Sequence, residues 1–140
     1  MVGSFGQAGN ATPIVTELSC GEESIASPTW EQVKSLLIDL PDEKTVSISV
    51  GDDAWLIALH SASIGYLVTG NGQGERDYFT LIDRNLGDEP VTAFDGGNEN
   101  EHPRYAFVGE SLALKVFEIF YLTGNRDGDA EWVQAQDAMY

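Results

Sequence analysis

Hydrophobic side chains recur at helical spacing in two separate stretches of the chain. In the first stretch they lie three or four residues apart, at Trp30, Val33, Leu36, Leu37 and Leu40. This spacing predicts a helix with one buried face. We expect Ser27 to cap its start, Pro28 to take the first helical position and Pro41 to end it. The second stretch, 110–122, carries a wide apolar stripe and predicts another helix, which Gly124 ends in a left-handed conformation.

Between the two helices, apolar positions alternate with polar ones, as they do in strands with one buried face. The predicted strands are 13–18, 45–50, 54–60, 63–69, 77–83, 91–94 and 104–108. Turns are expected at 51–53 and 70–74, loops at 85–89 and 95–103, and a tail with Trp132 after the second helix. Short turns join antiparallel strands. The fold class is therefore α+β: an antiparallel twisted sheet of about five to six strands with both helices packed on one face.

Length and composition predict one folded unit in a chain of 140 residues. Residues 1–11, rich in Gly, Ser, Gln and Asn, are predicted to be a flexible N-terminal segment, which leaves 12–140 as a single domain. Neither a signal peptide nor an apolar stretch long enough to cross a bilayer is recognisable. Cys20 is the one cysteine, which favours a reducing compartment, so we expect a cytoplasmic protein.

Charge is the most unusual property of the composition. The chain has 23 acidic and 7 basic residues, a formal charge of −16 and a pI near 4.1. A field of this sign repels nucleic acid and anionic membranes, and it attracts basic surfaces. Two interpretations remain open: an acidic protein that binds a basic partner, or one whose acidity serves solubility alone.

Candidate catalytic chemistry is sparse. The glycine-rich turn 70–74 precedes a predicted strand, whereas a phosphate-binding loop needs a helix N-terminus after it. Cys20, His60 and His102 are scattered, without the spacing of a metal site. No nucleophile elbow or Cys/His signature is present. The sequence therefore predicts a protein that is not an enzyme and that uses no cofactor and no metal.

The acidic loops are the best candidates for a binding surface. Five acids and no Lys or Arg lie between Asn85 and Pro103, and two more flank the preceding turn. The candidate partner-binding residues are Glu75, Asp77, Asp88, Glu89, Asp95, Glu99 and Glu101. If the turns cluster at one end of the sheet, they form an acidic rim against which a cationic groove docks. The alternative is a set of solvated loops.

From Tyr78 onward, the order of features resembles a known family. A strand ending in Asp83 is followed by the strand 91–94, which runs into a turn with Gly96 and Gly97, then by a polar loop, the strand 104–108 and a helix. That helix carries Ala113, Phe117, Phe120 and Tyr121, and Thr123, Gly124 and Trp132 come after them. This order is similar to that of the Imm1 family of bacterial immunity proteins, small α+β proteins paired with polymorphic toxins. With the first helix and the strand 64–68, the resemblance covers about residues 28–135.

The resemblance implies an immunity protein that binds and neutralises a cognate bacterial toxin. Toxins of this class are often nucleic-acid deaminases, whose substrate pocket receives an anionic strand. The implied partner is one toxin domain with a basic active-site face, bound one to one by occlusion, without contact to nucleic acid or membrane. An acidic nucleic-acid mimic or adaptor that inhibits another basic protein is the alternative. An enzyme with an unrecognised site is the third possibility.

Overall fold

The computed structural model of the protein describes residues 14–95 and 98–134. The predicted flexible segment 1–11 and the two turn glycines, Gly96 and Gly97, lie outside the described residues. The helices are α1 (Trp30–Ile38) and α2 (Glu110–Thr123), and two short 3-10 helices span Arg84–Leu86 and Arg104–Ala106. The described strands are β1 (Glu17–Cys20), β2 (Glu23–Ala26), β3 (Thr45–Val50), β4 (Ala54–Ser61), β5 (Gly65–Asn71), β6 (Phe79–Ile82), β7 (Pro90–Asp95), β8 (Asn98–Pro103), β9 (Phe107–Val108) and β10 (Glu131–Gln134).

Eight of these strands form one antiparallel sheet, and the other two form a separate hairpin. The main order is β10-β6-β5-β4-β3-β1-β2, and the short β9 also pairs with β5. The hairpin consists of β7 and β8, paired from Pro90 opposite Pro103 to Asp95 opposite Asn98. Both helices lie on one side of the sheet. The predicted α+β class, the antiparallel pairing and the placement of the helices are confirmed.

The number of strands is larger than the sequence predicted. The additional strands are β2, β8 and β10. The sequence predicted no element at β2, a loop at β8 and a tail at β10. None of them shows clear alternation of apolar and polar residues; β8, for example, reads Asn-Glu-Asn-Glu-His-Pro. They are strands because their backbones pair with a neighbouring strand, and backbone pairing needs no hydrophobic pattern.

The predicted cap of α1 was wrong by two residues. Thr29 is the N-cap, and its hydroxyl accepts a hydrogen bond from the Gln32 backbone N–H at 3.1 Å. The Gln32 side-chain oxygen accepts one from the Thr29 N–H at 2.8 Å, which completes a capping box. Ser27 instead has a φ of +48° and donates its N–H to the Thr16 carbonyl at 2.9 Å, so it is held next to the sheet directly after β2. At the other helix, the left-handed stop predicted at Gly124 is confirmed, with a φ of 73°.

Thr29→Ala is expected to lower the free energy of unfolding by about 1 kcal/mol, because it leaves a helix N–H without its acceptor. Chemical denaturation followed by circular dichroism measures this loss. Ser27→Ala is the control and is expected to change stability by less than about 0.5 kcal/mol. A larger loss for Ser27→Ala than for Thr29→Ala would contradict the observed cap.

Alternation of side chains gives the sheet two different faces. On β4, Leu56 and Ala58 point toward the helices and belong to the larger core. Leu59 belongs to a second, smaller core on the other face, together with Leu67 of β5. Fully buried helix residues of the larger core include Val33, Leu37, Phe117 and Phe120. The hairpin therefore covers part of the face that the helices leave open.

Gly70 lies inside β5, where the sequence predicted the start of a turn. It stands opposite Leu56 of β4, and a Cβ built on Gly70 would lie 2.1 Å from the Trp55 carbonyl oxygen. No side chain fits in that space, so the glycine permits a close approach of two backbones. The turn itself comes after Asn71.

Candidate functional site

The hairpin β7–β8 is fixed to the sheet by its inward-facing side chains. Val91 and Ala93 pack into the smaller core beside Leu59 and Leu67. His102 of β8 is 6% exposed, and its ring meets the Phe107 ring edge-on, with centroids 5.6 Å apart. The prediction of a loop around His102 was therefore wrong, because this residue is a buried anchor of a strand. The two described strands of the hairpin therefore have one face on the core.

The outward face of the hairpin carries an exposed aromatic ring among acids. Thr92 pairs with Glu101, and Phe94 pairs with Glu99. Paired residues share a face, and all four of these are exposed. Phe94 is 42% exposed, although phenylalanine is among the residue types most often buried. An apolar ring flanked by carboxylates is therefore presented to solvent.

Two more acids lie where the chain enters the hairpin. Asp88 and Glu89 are both exposed and directly precede Pro90. The backbone here is fixed, because the Arg104 N–H donates to the Glu89 carbonyl at 2.8 Å.

We call the exposed residues of the hairpin and its entry the hairpin surface and define it as Asp88, Glu89, Thr92, Phe94, Glu99 and Glu101. Of the sequence candidates, Asp95 ends β7, but its side chain lies outside what the structure describes.

The basic residues nearest in sequence to the hairpin are used elsewhere. Arg84 pairs with Glu131 at 2.6 Å, and the Arg104 guanidinium donates to the Phe107 carbonyl at 2.8 Å. Within 14–95 and 98–134, none of the four carboxylates of the hairpin surface takes part in an ion pair. Within the described residues, these carboxylates therefore have no cationic partner.

Glu75, another candidate, is a structural residue of the turn after β5. Its Oε1 accepts hydrogen bonds from Arg126 Nε at 2.8 Å and from the Gly72 N–H at 2.6 Å, while Oε2 bonds to Arg126 Nη2. The Arg126 guanidinium carbon lies 3.7 Å from the centre of the Phe79 ring. The hydrogen bond from Arg126 lowers the pKa of Glu75 below its ordinary value. The negative charge of Glu75 is therefore compensated by Arg126 within the fold.

Glu75 and Asp77 do not join the hairpin acids at one end of the sheet. They precede β6, whereas Asp83 and the base of the hairpin follow it. The four residues of β6 place the two groups about 13 Å apart along the strand. The smaller core, which the hairpin covers, includes Ile64 and Leu67. These two residues lie near the β4–β5 turn, at the other end of β5 from Glu75. The expected single rim is thus divided, and the hairpin holds its continuous part.

Glu75→Gln is expected to lower the free energy of unfolding by about 1–2 kcal/mol at pH 7, the range for a partly exposed charged hydrogen bond. Because the folded-state pKa lies below 4.5, this contribution is present above that pH and is lost as the pH falls through the folded value. The difference between the two proteins should therefore shrink in acid.

The exposed Asp77 lies in the same turn and provides the matched control. Asp77→Asn is expected to change stability by less than about 0.5 kcal/mol at either pH. Urea denaturation at pH 7 and pH 3 measures both variants. A constant difference between the wild type and Glu75→Gln across this range would contradict the assigned ion pair.

A polar cavity of about 420 Å³ lies beside this ion pair. Its lining includes Glu75, Arg126, Asp127 and Trp132. Asp127 is 4% exposed, accepts from the Asp129 N–H at 2.9 Å and lies 3.8 Å from the Lys115 ammonium. Glu75 and Arg126 pair with each other, whereas the buried Oδ2 of Asp127 accepts no hydrogen bond within the described residues and has only the Lys115 ammonium nearby. We interpret the cavity as part of the scaffold.

The hairpin and its exposed phenylalanine were missed by the sequence analysis. Residues 98–103 contain Asn, Glu and Pro, which are depleted in strands, so pattern and propensity both favoured a loop. The one available signal was the apolar alternation of 91–94, which predicted β7 without its partner. The smaller core beneath β7 determines which face of this strand is buried. The local sequence pattern does not indicate that face.

The fold and the hairpin surface together define an α+β protein with an antiparallel sheet and an acidic, partly apolar β-hairpin. Comparison with known protein families, with curated proteins and with solved structures finds no match in any of the three. Neither of the described helices is long and apolar enough to span a membrane. Among the described residues, His, Cys, Asp and Glu form no cluster suited to a metal ion.

Proposed function

We propose that the protein is an immunity protein that binds a cognate bacterial toxin and blocks it. The observation that carries this proposal is the hairpin surface, which presents an exposed Phe94 together with four carboxylates that have no ion pair in the described chain. The proposal also rests on the resemblance to the Imm1 family. The toxin we favour is a nucleic-acid deaminase, and the site of action is the cytoplasm.

The two components of the surface have different physical roles in binding. Carboxylates without internal partners attract a basic groove and accelerate encounter, because charge complementarity raises the association rate more than the affinity. A desolvated aromatic side chain then supplies much of the energy that holds the complex together. A groove that binds an anionic strand is basic, so the toxin is inhibited when the hairpin surface covers it. The immunity protein performs no chemistry and needs no cofactor.

Co-expression with the product of the neighbouring gene tests the proposal directly. The tagged protein is captured, the complex is sized, and the toxin is assayed on single-stranded DNA and RNA. We expect a stable one-to-one complex in which the toxin is inactive. Full toxin activity in the presence of saturating, folded immunity protein would exclude the proposed function.

The second candidate function is a general acidic mimic of nucleic acid. It is favoured by the distribution of charge, since only four of the 23 acids belong to the hairpin surface. Such a mimic binds several unrelated basic proteins with similar strength, whereas an immunity protein discriminates among them. Measured affinities for a panel of basic nucleic-acid enzymes therefore separate the two functions.

A further inference from the structure

A groove of about 250 Å³ runs along the base of the hairpin. Its lining consists of Asp88, Pro90, Glu101, His102, Pro103 and Tyr105. The two carboxylates are exposed, the tyrosine is partly exposed and the histidine is buried. The groove therefore combines apolar walls with two acids, which is the composition of a pocket for a long cationic side chain.

Nothing described within the fold neutralises this groove. Neither Asp88 nor Glu101 forms an ion pair within the described residues. The Arg84 guanidinium carbon lies 5.8 Å from the centre of the Tyr105 ring, and the Arg104 guanidinium donates to the Phe107 carbonyl. Arg84 is engaged by Glu131 at 2.6 Å. Two negative charges thus remain beside an aromatic wall, and a cation from outside the chain would complement them.

We propose that this groove receives an arginine side chain of the bound partner. The inference rests on the proposed function, because it names the chemistry by which the same hairpin recognises its toxin. Arginine fits better than lysine for two reasons. Its planar guanidinium bonds to carboxylates through two parallel N–H groups, and it stacks on aromatic rings. Its aliphatic stem packs against the two prolines.

The hairpin is suited to present this groove as a formed site. Its backbone is tied by the Arg104-to-Glu89 hydrogen bond at 2.8 Å and by the Asp83 N–H, which donates to the Tyr105 carbonyl at 2.9 Å. The first bond joins the backbone beside Asp88 to the segment that follows Glu101, and the second fixes the backbone of the tyrosine. A site formed in advance loses little conformational entropy on binding.

The test uses the free protein and a blocked tripeptide, acetyl-Gly-Arg-Gly-amide, followed by ¹⁵N-resolved NMR titration. We expect saturable shifts confined to the backbone amides of the non-proline residues in 88–92 and 101–105. The lysine peptide should bind at least about threefold more weakly. The citrulline peptide, which has the same shape without the charge, should produce no saturable shift. Equal binding of the citrulline peptide, or shifts spread over all acidic turns, would overturn the inference.

Matched variants separate the groove from the general field of the protein. Asp88→Asn combined with Glu101→Gln should weaken arginine-peptide binding at least about tenfold. The control, Asp52→Asn with Glu118→Gln, removes the same charge from exposed positions elsewhere and should change it less than about twofold. Tyr105→Leu should abolish the preference for arginine over lysine. Equal losses in the two double variants would overturn the inference.

The outcome is distinguishable from that of the proposed function. If co-expression yields an inactive toxin complex but the peptide does not bind in the groove, the arginine site is wrong and the immunity function stands. If the peptide binds in the groove and no toxin complex forms, the site stands and the immunity function fails. The peptide test needs no toxin, so each idea is judged on its own measurement.

Discussion

Replacement of Asp88, Glu89, Glu99 and Glu101 by their amides should slow association with the toxin about tenfold to a hundredfold at low ionic strength. These four carboxylates are exposed and have no ion pair in the described chain, so their charges are available to a partner. With the field removed, the association rate should also depend less on salt. Stopped-flow measurements from about 20 mM to 500 mM NaCl provide both quantities.

The control for this variant has the same net charge in a different place. Replacing Glu22, Glu43, Asp52 and Glu118, all exposed, by their amides also changes the charge from −16 to −12. We expect this protein to associate within about threefold of the wild-type rate. If both variants are slowed equally, the total charge and not the hairpin steers the encounter. An unchanged rate for the hairpin variant would place the interface elsewhere.

Phe94→Ala is expected to shorten the lifetime of the toxin complex by a much larger factor than it slows its formation. Removal of a central aromatic anchor costs about 2–4 kcal/mol of binding free energy, or roughly 30-fold to 1000-fold in affinity. Most of this change falls on the dissociation rate, because short-range packing is made after the encounter. Surface plasmon resonance with immobilised toxin measures the two rates separately.

Leu122→Ala is the matched control for Phe94→Ala. Both side chains are 42% exposed, but Leu122 lies on α2, on the opposite side of the sheet. Each substitution is expected to change the stability of the free protein by less than about 0.5 kcal/mol. Leu122→Ala should leave the complex lifetime unchanged. A long-lived complex with Phe94→Ala would show that the exposed ring takes no part in binding.

The parts of the fold that the sequence predicted well are those with a strong internal period. The helices α1 and α2 and the strands β3 and β4 were found within a few residues, because each buries one face and repeats its apolar side chains accordingly. The errors occurred where that signal was absent. β2, β8 and β10 are strands through backbone pairing alone, and Ser27 looked like a cap only while the end of β2 was unknown.

The candidate site shows the same division. Seven acids could be named from the sequence, but their charges could not be assigned to partners. Glu75 and Arg126 are separated by 51 residues and form a bidentate pair in the structure, so this acid is internal. The hairpin acids, which the sequence did not distinguish from Glu75, have no ion pair in the described chain. Phe94 lies in a predicted strand, but the sequence does not show that its side chain is exposed. Its exposure depends on which face of β7 packs against Leu59 and Leu67.

The sequence by itself determined the α+β class, the two helices, the central antiparallel strands and the large negative charge. These properties depend on composition and on the local period of apolar residues, and both can be read from the sequence without knowledge of long-range contacts. Only the tertiary structure decided which acids are neutralised, where the hairpin lies and which aromatic ring reaches solvent. Ion pairs, strand partners and exposure join residues that are distant along the chain, and a local pattern carries no information about contacts of that kind.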